Sequence, residues 1–213
     1  MMSKLLSLVT ILLLSVVLLW LLFAWHPASI ESRSHEPLDL AERPTGGDFE
    51  LTSAQGTLKL SELRGKVVLL YFGYAACPDI CPTNLAIIAL ALRALTPTER
   101  ARVQAVFVSV DPQRDSPERL AEYVGYFHPD IIGVTGTDQD LATVAKQYGA
   151  AYRRTEASDS AMGYMVDHSA YSYVIDGSGS LVQVLDHATP AAEIVATLRR
   201  SLHELGVAPA AAR

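Results

Sequence analysis

Lys66-Val67-Val68-Leu69-Leu70-Tyr71, followed after a short turn by Cys77-Pro78-Asp79-Ile80-Cys81-Pro82, decides the fold. An uninterrupted apolar run of this length marks a strand buried on both faces, as in a parallel sheet. The cysteines then fall beyond its carboxyl end, where a helix that is apolar almost all round from Leu85 to Leu95 begins. Ligands of open parallel sheets gather at that edge.

Working outward, Val103–Val110 and Ile131–Thr135 read as further central strands. Between them Ser116-Pro117 opens a helix towards Phe127, with Ser at the N-cap and Pro at the first helical position. Thr137–Tyr148 is a helix entered through Thr137-x-x-Asp140, a capping-box pattern. Phe49–Leu51 and Thr57–Leu60 predict a small hairpin about Gln55-Gly56. Ala170–Ile175 and Leu181–Leu185 predict another about Asp176-Gly177-Ser178-Gly179-Ser180, before a last helix from Thr189-Pro190 to Leu205. Strands alternating with helices, closed by an antiparallel hairpin, give an α/β thioredoxin-like fold: a central mixed sheet flanked by helices.

The ends of the chain read differently. Leu5–Trp25 carries no charge over 21 residues, enough for a transmembrane helix. Trp20 and Trp25 suit the headgroup zone at its far end. A cleaved signal peptide is the competing reading, but the apolar run is long and no small-x-small cut site follows Trp25. With Lys4 the only charged side chain before the anchor, residues 1–4 are expected in the cytoplasm and the remainder outside it. The expected organisation is an anchor at 5–25, a tether at 26–44, a domain at 45–205 and a tail at 206–213. The location this predicts is a bacterial inner membrane, with the domain in the periplasm or at the cell exterior. A formal net charge of −6 leaves no electrostatic footprint for nucleic acid.

Cys77 and Cys81 are the only cysteines. A disulfide closing so short a loop would remove little entropy from the unfolded chain, so a purely structural bond is a weak explanation. Pro82 fits best at the first helical position, making Cys81 the N-cap. A helix N-terminus lowers a thiol's pKa, which serves a redox couple and a soft-metal site equally. His168 stands just before the strand at Ala170, where thioredoxins carry a proline opposite their dithiol; this chain has no proline between Pro129 and Pro190. Two thiolates and one imidazole favour Cu(I), with zinc or Cu(II) plus an added water as alternatives. Met162 and Met165 are soft and nearby, but read first as packing residues. His26, His35, His128, His187 and His203 read as solvated. Ser109-Val110-Asp111-Pro112-Gln113-Arg114-Asp115 reads either as a turn with an internal ion pair or as a docking surface.

The segments Gly73-Tyr74-x-x-Cys77-Pro78-Asp79-Ile80-Cys81-Pro82, Ser109-Val110-Asp111-Pro112-x-Arg114-Asp115, Gly133-x-Thr135-Gly136-Thr137 and Asp167-His168-Ser169 together resemble the Sco/SenC family. The resemblance runs from about Gly46 to Leu205. It implies Cys77, Cys81 and His168 as copper ligands in a chaperone for the binuclear CuA centre of cytochrome c oxidase subunit II. The expected partner is that subunit or another copper protein, and the alternative is reduction of the cysteines of that subunit or of another exported protein by the same pair, which would make Cys77 and Cys81 catalytic. Where the family usually has Thr-His before the first cysteine, this chain has Ala75-Ala76.

Overall fold

Strand β3 (Val67–Gly73) is buried at every position, as its apolar run demands, and is an inner strand, fifth of the seven in its sheet. The computed structural model describes residues 2–24, 44–156 and 163–206. The chain divides into two units, the amino-terminal one holding helix α1 (Met2–Ala24). Side chains of α1 are described at 6 and 11–22. Among the described residues no helix is long and apolar enough to cross a membrane. The membrane anchor therefore rests on the sequence alone. Most of the tether and the tail from 207 lie outside the described residues, as do His26, His35 and Met162.

The second unit begins with β1 (Glu50–Ser53) and β2 (Gly56–Lys59), an antiparallel hairpin, and a 3-10 turn at Leu60–Leu63. After β3 come α2 (Ile80–Ala94), a short α3 (Pro97–Arg100), β4 (Val103–Ser109), α4 (Pro117–Phe127), β5 (Ile131–Thr135) and α5 (Asp138–Tyr148). The chain ends with β6 (Tyr152–Glu156), β7 (Tyr164–His168), β8 (Ser172–Ile175), β9 (Leu181–Leu185) and α6 (Ala191–Glu204). The sheet order is β2-β1-β5-β4-β3-β8-β9. Strands β3, β4 and β5 run parallel, while β1 and β8 pair antiparallel to β5 and β3.

Alternation along β3 sends Tyr71 and Phe72 to opposite faces. Tyr71 meets Phe107 of β4, which meets Tyr123 of α4; Phe72 meets Tyr148 of α5 and Tyr173 of β8. Each face thus carries its own aromatic row, and burying one such side chain contributes about 1.5–3 kcal/mol. Two helix starts, those at Ser116 and Thr137, are capped as the sequence predicts. Ser116 accepts from the Arg119 N–H, Thr137 and Asp140 close a capping box, and Gly149 ends α5 at φ 65°.

Two expectations are corrected. Helix α2 starts at Ile80, with Asp79 at the N-cap, so Cys81 and Pro82 both lie inside its first turn. Proline is tolerated there because the first four N–H groups of a helix have no intrahelical partner to lose. And the strand expected from Ala170 starts at Ser172, while the residues before it form a strand of their own: β6 and β7 make a two-stranded ribbon, separate from the seven-stranded sheet, with His168 as its last residue.

Candidate metal centre

The strand-to-helix turn after β3 carries Cys77, and the first turn of α2 carries Cys81. The end of β7 brings His168 to them. One ligand atom from each, two sulfurs and one imidazole nitrogen, lie within 4.8 Å of one another. Cys81 Sγ is 3.2 Å from His168 Nε2. On its other side the ring's Nδ1 is 3.1 Å from the Ser169 carbonyl oxygen. That oxygen can only accept, so the Nδ1 proton is directed to it, which orients the ring with Nε2 facing the sulfurs. Ser169 is itself held by Ala151, whose N–H donates to Ser169 Oγ and whose carbonyl accepts the Ser169 N–H.

The two thiols are unequal. Cys81 is fully buried and Cys77 is 9% exposed. Cys77 is held far below the ordinary thiol range by hydrogen bonding from the Cys81 thiol, against the opposing effect of burial. His168 and the N–H groups of Asp79 and Cys81 act in the same direction as Cys81. Those N–H groups belong to the start of α2, where a helix has donors free for an anion. Burial pushes Cys81 the other way, and the Cys77 charge beside it adds to the rise. The two shifts run in opposite directions, which makes the outer sulfur the more readily ionised of the pair.

Aromatic rings wall the centre. Tyr71 and Tyr74 stand edge-on to the His168 ring at 6.4 and 5.7 Å. Burial pushes Tyr74 up to about 12 and Tyr71 further, so both hydroxyls stay protonated beside the sulfurs. Gly73 leaves room for the inner thiol: a Cβ there would lie 2.7 Å from Cys81 Sγ and 2.8 Å from the Phe107 ring.

The Ser109–Asp115 segment turns out to be a buried polar brace. Asp111 and Asp115 are fully buried. Asp115 Oδ2 accepts from the Ala75 N–H at 2.8 Å and from Ser109 Oγ at 2.6 Å, tying the cysteine turn to β4. Asp111 accepts from Arg114 Nε through one oxygen and from the Tyr164 hydroxyl, at 2.6 Å, through the other. The ion-pair reading of this segment stands, and the brace reaches both the cysteine turn and the ribbon. Sequence reasoning missed Tyr164, because its partner lies 53 positions away.

Of the other expected residues, Met165 alternates to the face of β7 opposite His168. His187 and His203 are exposed, as expected. His128 is not solvated: it is buried at the end of α4, where its Nδ1 accepts from the Asp130 N–H.

A mixed sheet with a dithiol at the helix start after a buried inner strand, faced by an imidazole, defines a thioredoxin-like protein whose Cys-Cys-His group can hold a metal ion. Residues 39–203 match the family model described as SCO1/SenC, and the chain belongs to that family. It is 40% identical to the SCO2-like protein of Rickettsia felis over 139 residues, 65% of this chain and 67% of that one. It is 39% identical to the mitochondrial protein SCO2 of Saccharomyces cerevisiae over 141 residues, 66% of this chain and 47% of that one. Among solved structures it is similar to Arabidopsis thaliana ScoI with copper bound (TM-score 0.67, 34% identity, 75% of this chain and 98% of that one). Yeast Sco1 with copper bound is a comparable match (TM-score 0.68, 33% identity, 79% and 92%).

Proposed function

We propose that this chain is a membrane-anchored copper carrier that holds Cu(I) on Cys77, Cys81 and His168 and passes it to the CuA site of cytochrome c oxidase subunit II. The observation that carries this is the convergence of two sulfurs and one oriented imidazole nitrogen at a helix start. That donor set is soft and three-coordinate, which suits Cu(I) better than a four-ligand structural zinc. The copper-bound structures of two relatives support the choice of metal. Transfer proceeds by ligand exchange: a recipient thiolate adds to the ion as a ligand of this chain leaves, and the copper stays Cu(I). The anchor, Leu5–Trp25, and the placement of the domain in the periplasm or at the cell exterior rest on the apolar run and the single preceding lysine.

A second reading is favoured by the inequality of the thiols. The Cys77 thiolate would attack a partner disulfide, forming a mixed disulfide and releasing one partner thiolate. Cys81 would then lose its proton and attack the Cys77 sulfur, releasing the second partner thiol and leaving this chain oxidised. Titrating the full-length reduced chain anaerobically with Cu(I) against a competing chelator separates the two. The carrier reading expects one tightly held copper, weakened by both Cys77→Ser and His168→Ala. Weak binding that ignores His168 would overturn it in favour of disulfide reduction.

A further inference from the structure

The histidine rides on a ribbon that shares no ladder with the seven-stranded sheet. A two-stranded ribbon is marginal by itself, so side chains must seat it on the domain. Residues 164, 166 and 168 of β7 share one face, two positions apart. His168 meets the dithiol and the tyrosine rings, Val166 is buried in the core, and Tyr164 meets the Asp111 brace.

The Tyr164 end is held in several ways. Its hydroxyl donates to the buried Asp111 carboxylate, and its carbonyl accepts from Arg114 Nη1 at 3.1 Å. The Arg114 guanidinium lies over its ring at 3.8 Å, and also reaches to 5.6 Å from the ring of Tyr74, which borders His168. The brace that fixes the cysteine turn through Asp115 thus fixes the histidine's strand through Asp111, the two carboxylates lying four residues apart on one short segment with Arg114 between them.

We infer that Tyr164 is a positioning residue for the metal centre: its hydroxyl, latched to Asp111, sets the register at which His168 stands over Cys77 and Cys81. This rests on the carrier reading, since a dithiol reductase can work without the histidine. The latch is selective, because it governs the nitrogen ligand and leaves the sulfur pair to Asp115 and the helix start.

The test is a double-mutant cycle on the full-length reduced chain, reading Cu(I) affinity by chelator competition, with Tyr164→Phe and His168→Ala alone and together. Tyr164→Phe keeps the ring under Arg114 and removes only the hydroxyl. Loss of such an outer partner weakens metal binding by about tenfold or more. The expected result is that loss in the wild-type background and none in the His168→Ala background, with Cys77 still as reactive towards a thiol reagent as in the wild type. An equal loss in both backgrounds, or no loss in either, overturns the latch and leaves the three-ligand site intact. If His168→Ala itself changes nothing, the carrier reading fails and the latch fails with it. Should Tyr164→Phe not fold, as judged by circular dichroism, Asp111→Asn keeps the side chain's size and serves in the same cycle.

Discussion

Cys81 Sγ and His168 Nε2 sit 3.2 Å apart although 87 positions separate them in the chain. The contact joins the more deeply buried thiol to the only imidazole in the cluster, while the outer thiol, Cys77, is the more readily ionised of the two.

That division of labour fixes how copper binding depends on pH. Thiols bind Cu(I) as thiolates, so binding tightens as pH rises and protons compete less. Between about pH 7 and 8, two ordinary thiols of pKa about 8.5 would release about 1.9 falling to about 1.5 protons per ion. Here Cys77 is already ionised and only Cys81 has a proton to lose. Affinity should rise about tenfold per pH unit, with one proton released per copper. Titrations in buffers of different ionisation enthalpy count that proton, and a count of two would refute the inequality of the pair.

Gly73→Ala tests the close approach behind the inner sulfur. The new methyl would meet Cys81 Sγ and the Phe107 ring, both fully buried, at under 3 Å. Overpacking of this kind costs about 1–3 kcal/mol. A matching fall in the urea midpoint is expected, together with weaker Cu(I) binding because Cys81 is displaced. An unchanged midpoint would mean that the start of α2 has room to move.

Asp115→Ala tests the brace under the cysteine turn. It leaves the Ala75 N–H and the Ser109 hydroxyl without their acceptor. Each buried group left unsatisfied costs about 1–3 kcal/mol. Urea unfolding should show at least one such loss, and amide exchange at Ala75 should accelerate. Normal protection at Ala75 would show that water replaces the carboxylate without penalty.

The sequence showed most clearly the elements whose patterns are local. Val67–Tyr71 reads as a buried strand from its composition, and Thr137 and Ser116 announce their helices through side chains that cap within three residues. The dithiol was legible because both sulfurs lie on one short segment. The ribbon was not, because Tyr152–Glu156 is largely charged and solvent-facing, with no apolar alternation to mark a strand. The start of α2 was misplaced by giving Pro82 its commonest position when the third is also tolerated. Thr96-Pro97-Thr98-Glu99 carries a capping-box signal that went unread, and the structure closes that box at α3. His168 was found through its place beside β8; what holds it there depends on contacts across more than fifty positions.

The separateness of β6 and β7 from the main sheet has a mechanical consequence. A copper ion held by all three ligands would cross-link residue 81 to residue 168, stapling the ribbon to the body across a long stretch of chain. Cargo and clasp would then be the same object. A carrier that has handed over its copper has also lost a fastening, so spent and loaded molecules should differ in how readily a protease cuts the ribbon.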